Sequence, residues 1–145
     1  MSFLKAMDIS ASALTAQRMR MDIISENIAN ANTTRTASGE PYQRRVAVLQ
    51  QKQGDAFSTY LDNAQNATMG SGVEVAEIVT DTSPYTLEYD PTNPDADADG
   101  YVRLPNVDEV KEMIDMMSAT RSYEANVTAL NATKGMAMKA LEIGD

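Results

Sequence analysis

The stretch "FLKAMDISASALTAQRMRMDIISENIAN", residues 3–30, decides how the chain folds. Positions 4, 7, 11, 14, 18, 21, 25 and 28 step alternately by three and four. They hold Leu4, Met7, Ala11, Leu14, Arg18, Met21, Ser25 and Ile28. Most are apolar or small, and Met7, Leu14, Met21 and Ile28 keep a seven-residue repeat. That is the narrow seam of a helix that pairs with another helix, rather than the wider stripe of one lying on a globular core. Neither Gly nor Pro interrupts the run. It closes in "NIANANTT", where Asn30, Asn32, Thr33 and Thr34 favour a turn over a helix interior, because their side chains compete for backbone hydrogen bonds.

The far end of the chain repeats the pattern. Met113, Met116, Thr120, Tyr123, Val127, Leu130, Lys134, Ala137 and Leu141 again alternate three and four. Pro105 and Asn106 break what precedes, and Asn106 is placed to cap this helix. Asp108 and Glu109 lie at its start and Lys134 and Lys139 towards its end, as the helix dipole favours. Gly144 is a plausible stop.

Between the helices the period changes from three-and-four to two. "YQRRVAVLQQK" alternates Val46, Val48 and Gln50. "GVEVAEIVTDT" places Val73, Val75 and, after a slip, Ile78 among acids, while "YTLEYD" and "GYVRL" are two further short strands. Gly54, Gly70, Gly72, Pro84, Pro91, Pro94 and Gly100 punctuate these runs as turns, and "STYLDNAQNATMGSG" reads as a loose polar stretch. The expected fold is α+β. Residues 1–34 and 105–145 supply long terminal helices forming a coiled-coil domain, and residues 35–104 form a small inserted β-rich domain. Neither seam can be buried by its own helix, so the helices pair with each other, with neighbouring subunits, or with both; the alternative is a two-helix hairpin packed onto its own β domain.

Composition narrows the function. The 145 residues include no cysteine and no histidine, which excludes disulfides, thiolate or imidazole metal sites, and Ser-His or Cys-His nucleophiles. Residues 1–53, 54–110 and 111–145 carry net charges of +3, −11 and −1. An acidic middle repels phosphate backbones, so nucleic acid is not an expected partner. The apolar runs fall far short of the ~20 residues that span a bilayer, so no membrane span is expected. "MSFLKAMDISAS" lacks the apolar core of a cleavable secretory signal, so any export takes another route.

The two ends also resemble a known family. "SALTAQRMRMDIISENIANANTTRT" is similar to the N-terminal signature of bacterial flagellar basal-body rod, hook and related axial proteins, through Ala13, Leu14, Ala16, Gln17, Asn27, Ile28, Ala29, Asn30 and Thr33. "EMIDMMSATRSYEANVTALNATKGMAMKALEIG" resembles their C-terminal motif, centred on Arg121–Val127. The match runs in order over nearly the whole chain. One departure is that "TTRTASGEPYQRR" stands where many relatives carry a Thr-Gly-Tyr-Lys turn.

The resemblance implies a structural subunit, not an enzyme, and no cofactor. Copies would stack helically into a hollow rod across the periplasm, with the terminal helices as inner layer and the β insert outside. Such a rod transmits torque and lets export substrates pass. Implied partners are further copies, other rod proteins, proteins of the MS-ring/rod junction, and the flagellar type III export apparatus, which replaces a signal peptide. On this reading the subunit-interface residues are Leu14, Gln17, Met21, Asn27, Ile28, Asn30, Met116, Tyr123, Asn126, Val127, Leu130 and Leu141. Asn27, Asn30 and Asn126 are candidates for polar contacts that fix register; for Asn27 and Asn30 the alternative is that they only end the first helix.

Two other functions compete. Paired carboxylates can serve a hydrolase, but nothing in the sequence places two at a defined cleft. "DPTNPDADADGYV", residues 90–102, begins like a calcium loop: Asp95, Asp97, Asp99 and Gly100 fill the first acidic positions and the turn glycine. The position needing a bidentate Glu is Asn106, and Pro91–Pro94 rather than a helix leads in. The alternative of a small calcium-binding or adaptor module therefore ranks below a structural subunit. The acidic stretch reads as the link returning the chain to the second helix.

Overall fold

A computed structural model describes residues 3–52 and 71–142. Most of the polar stretch 58–72, the stop at Gly144, and the turn positions Gly54 and Gly70 lie outside the described residues. The order is α1 (Phe3–Ala29), β1 (Arg45–Gln51), β2 (Val73–Thr80), β3 (Thr86–Tyr89), β4 (Tyr101–Leu104) and α2 (Glu109–Glu142). The fold is α+β: two long terminal helices with a small two-sheet β region between them.

α1 and α2 pack along each other. They run antiparallel, since Asn27 meets Glu112 while Met21 meets Thr120 further along. At 1.5 Å per residue they are about 40 and 50 Å long. Glu112, Met116, Ala119, Tyr123, Asn126, Leu130, Thr133 and Ala137 form an unbroken three-four alternation of buried or half-buried residues on α2, flanked by half-buried Asp115, Thr120, Ser122 and Val127. The expected seam shares Met116, Tyr123, Leu130 and Ala137 with this one. Thr120 and Val127 of the expected seam are half-buried too, beside Ala119 and Asn126, whereas Met113, Lys134 and Leu141 are exposed. The reason is chemical. A buried glutamate and a buried alanine mark the true seam, and apolarity alone does not find Glu112.

α1 departs from the expected narrow seam. Leu4, Ala11, Arg18 and Ser25 are exposed, and the deepest residues are Ala16, Ile23, Ile24 and Asn27. The helix has two partners, because it packs on α2 and also on β1 and β2. It therefore buries a broad stripe, of which Met7, Leu14, Met21 and Ile28 are the half-buried margin.

β1 and β2 pair antiparallel, with Val46 opposite Val79, Ala47 opposite Ile78 and Leu49 opposite Val75. The register shifts between Val48 and Leu49, which leaves Ala76 as the extra residue of a bulge. This is the slip visible between Val75 and Ile78 in the sequence. Ala47 and Leu49 are the more covered residues of β1, and Val46 and Val48 point outward. The sheet meets α1 closely at Gly72, whose φ of +99° suits only glycine and where a Cβ would collide with Ser12. The Ser12 hydroxyl accepts from the Val73 amide at 3.1 Å.

β3 and β4 form a separate hairpin, with Tyr89 opposite Tyr101 and their rings edge-to-face at 5.3 Å. Residues 90–100 are its loop, not the return link. The link back to α2 is the short segment 105–108, in which Pro105 is buried. Asp108, not Asn106, caps α2: its Oδ1 accepts from the amides of Val110 (3.0 Å) and Lys111 (3.2 Å).

Candidate functional site

Where α1 ends, β1 begins, β2 ends and α2 begins, the four passages meet at one polar junction. Asn27 stands in the last turn of α1 at 1% exposure, and Glu112 in the first turns of α2 at 0%. Asn27 Nδ2 donates to Glu112 Oε2 (3.0 Å) and to the Arg45 carbonyl (2.8 Å). Its Oδ1 accepts from the Arg45 amide and from the Tyr42 hydroxyl, both at 2.9 Å. Every donor and acceptor of the amide is thus used. Turning the amide over would aim N–H at N–H and oxygen at carboxylate, so its orientation is fixed by its partners.

Arg44 completes the junction. Its Nε donates to Glu112 Oε1 at 2.7 Å, and its terminal nitrogens lie 3.5 Å from Asp81 and 3.7 Å from Asp115. Burial alone would lower the Arg44 pKa, but the hydrogen bond and charge of Glu112, aided by Asp81, outweigh it and raise it. Arg20 of α1 reaches Asp115 at 3.4 Å on the rim. The Tyr42 hydroxyl is raised above the ordinary tyrosine value, first by burial and then by Glu26. Asn106, expected to cap α2, instead ties the junction together: its Oδ1 accepts from the Arg44 amide (2.8 Å), and its Nδ2 donates to the carbonyls of Asp81 (2.9 Å) and Ser83 (3.2 Å).

The residues expected at subunit interfaces occupy mixed positions. Leu14, Met21, Ile28, Met116, Tyr123, Val127 and Leu130 are half-buried, and Leu141 is 75% exposed. Gln17 is half-buried, and its Oε1 is sealed without a hydrogen-bond partner. Asn30 donates to the Glu26 carbonyl (2.9 Å) and Asn126 to the Ser122 carbonyl (2.8 Å), each within its own helix. Of the three asparagines, only Asn27 joins separate elements.

A second surface lies away from the junction. Val110, Met113, Ile114 and Met117 follow one another at helical spacing along α2 and are 50–62% exposed. They stand off the intrachain seam, so α1 does not cover them. Further along, Met136, Met138 and Leu141 are also exposed.

The acidic loop is engaged internally. Asp95 pairs with Arg35 (2.5 Å) and accepts from the Thr34 hydroxyl (2.8 Å). Asp97 Oδ1 accepts from the amides of Asp99 and Tyr101, and Gly100 takes φ +81° to close the turn. Asp95 and Asp97 are therefore taken up by internal contacts, and the calcium-module alternative is not supported. Among the described residues, no group of three or more carboxylates is arranged to hold a metal, and no helix is long and apolar enough to cross a membrane.

Comparison with known proteins bears on both ends of the chain. Residues 7–35 match a family model described as flagella basal body rod protein, and residues 98–143 match one described as the C-terminal part of the flagellar basal body rod FlgEFG proteins. Similar over 99% of this chain are three proteins called flagellar basal-body rod protein FlgC. The Bacillus subtilis protein is 55% identical over 99% of its own length, the Borreliella burgdorferi protein 44% over 98%, and an Escherichia coli O6:H1 protein 43% over 99%.

Proposed function

The chain belongs to the FlgC family of flagellar basal-body rod proteins, and we propose that it builds the rod by stacking copies through the outer surfaces of its helix pair. It is a structural subunit of the basal-body rod, and the finer reading concerns how it assembles. The α1–α2 pair stands in the inner layer with helices of neighbouring subunits, and the β region stands outside. The resulting hollow shaft transmits torque and leaves a channel for exported subunits. Its partners on this reading are further copies, other rod proteins, proteins at the junction with the MS ring, and the export apparatus that delivers it unfolded across the inner membrane.

The observation that carries this reading is the uncovered stripe Val110–Met113–Ile114–Met117. Full burial of such side chains contributes about 1.5–3 kcal/mol each. Half-exposed as they are, about 1 kcal/mol each remains to be gained from a neighbour. Leu141 and the half-buried Leu14, Met21, Ile28, Tyr123 and Val127 lie at the margins of the helix pair, away from that stripe, and would add contacts to further neighbours, while Gln17, Asn27 and Met116 support the pair from within.

The test is an Ile114→Asp, Met117→Asp chain expressed in cells lacking the natural copy. The expected chain folds and melts like the parent in solution but is missing from purified basal bodies. Normal incorporation would sink the reading.

A further inference from the structure

Among the described residues the β3–β4 hairpin packs on neither helix and on neither strand of the first sheet. Its Val102 is nevertheless only 2% exposed, and Tyr101 and Arg103 share a pocket lining with Thr34, Arg35 and Pro41 of the segment between α1 and β1. Its direction relative to the helices is set through that apolar side contact and through its ends. At its base, the chain enters after Asp81 and Ser83 and leaves through Asn106, and Asn106 joins those two passages to the Arg44 backbone. Arg44 is fixed in turn by Glu112 of α2, and Glu112 by Asn27 of α1. At its far end, Asp95 meets Arg35 and Thr34, but the Arg35 side chain is largely exposed and such pairs hold weakly.

The geometry points to the Asn27–Glu112–Arg44–Asn106 junction as an angular lock, which fixes the direction of the β3–β4 hairpin relative to the helix pair. Hydrogen bonds suit this task because they are directional, whereas apolar packing tolerates sliding. A buried ion pair commonly adds little net stability, since the cost of taking both charges out of water offsets their attraction. What the junction supplies is one orientation. Arg44 and Glu112 are positioning residues in this sense. The lock does not depend on how copies assemble and is read in the free protein.

The absence of cysteine makes the test clean. Spin labels at Ser25→Cys on α1 and Thr86→Cys on β3, both exposed positions, report the angle as a distance distribution. Labels at Ser25→Cys and Ser118→Cys report the helix pair alone. The junction is disarmed with Arg44→Met together with Glu112→Gln, which removes both charges and leaves Asn27 an amide oxygen to donate to. Arg44→Met alone, which strands a buried carboxylate, should melt below the double variant.

In the parent chain both distances are narrow. In the double variant the hairpin distance broadens about twofold while the helix-pair distance stays narrow, as expected when specificity is lost and not the fold. Asp95→Ala leaves both narrow. A broad hairpin distance in the parent, or a narrow one in the double variant, would overturn the inference. So would a helix-pair distance that broadens with the hairpin, because the junction would then hold the helices together and not aim the hairpin. Broadening in Asp95→Ala would assign the lock to the loop instead.

Discussion

Asn27 donates to Glu112 across 3.0 Å, and the two residues are 85 positions apart in the chain. The pair joins the last turn of α1 to the first turns of α2, and both side chains are closed off from solvent. A carboxylate there would be costly alone. It is tolerated because Arg44 and Asn27 between them satisfy both of its oxygens. The helix pair thus begins at a polar contact, and the small apolar core of Ala16, Ile23, Ile24 and Ala119 follows along it.

Asn27→Ala strips four hydrogen bonds at once and strands Tyr42, the Arg45 backbone and part of Glu112. Unpaired buried groups cost about 1–3 kcal/mol each, with partial relief where water enters, so a loss of about 3 kcal/mol is expected. Urea unfolding of the purified chain measures it. A change below about 1 kcal/mol would mean that the junction is wet.

Two glycines should respond in opposite directions. Gly72→Ala puts a side chain at φ +99° and against Ser12, and a loss of about 2 kcal/mol or more is expected. Gly135 lies inside α2 with open space where a Cβ would stand, so Gly135→Ala should stabilise the helix by about 0.5–1 kcal/mol. Thermal melts of the two variants side by side check both signs.

Gln17 keeps a sealed oxygen without a partner. Gln17→Met fills similar space with no polar atom, and should raise stability by about 1 kcal/mol in the free chain. An unchanged or lower melting point would show that the amide has a partner in solution.

The pH dependence has two ends. Asp81 and Asp90 lie below the ordinary carboxylate range because the hydroxyl and amide of Ser83 and of Thr92 donate to them, with Arg44 adding to the effect at Asp81. A depressed folded value stabilises the fold above the unfolded value near 4, and that contribution is lost as pH falls through the folded values. Tyr42 is raised, so its contribution is complete below about pH 10 and lost as pH climbs through its folded value. Tyr42→Phe should therefore flatten the alkaline limb of a stability-against-pH curve relative to the parent. An equal alkaline slope in both chains would contradict this.

Much of this was legible in the sequence, and the failures have physical causes. The helices, the four strands and the bulge near Ala76 follow from changes of period, which depend only on which face is covered. The seam on α2 was read one residue off at its start, at Met113, because Glu112 looks like a surface residue until Arg44 and Asn27 are beside it. α1 was read as narrow because a sequence does not show that the β1–β2 sheet will take a second face of the same helix. Asn106 carries every mark of a cap, yet Asp108 is two residues nearer the helix and takes the role. The aspartate series has calcium-loop spacing because short acidic side chains serve both tight turns, where they accept backbone N–H groups, and calcium loops, where they bind the ion. Arg44, the centre of the junction, left no signal, since one of two adjacent arginines gives no hint of which is buried.

The central claim is that the helix pair, and not the β region, makes the contacts that build the rod. Electron cryomicroscopy of basal bodies containing this chain tests it most directly. The account predicts α1 and α2 in the inner layer, with Val110, Met113, Ile114 and Met117 covered by a neighbouring subunit and the β3–β4 hairpin outside. A rod in which that stripe faces open space, or in which the β region forms the inner layer, would contradict it.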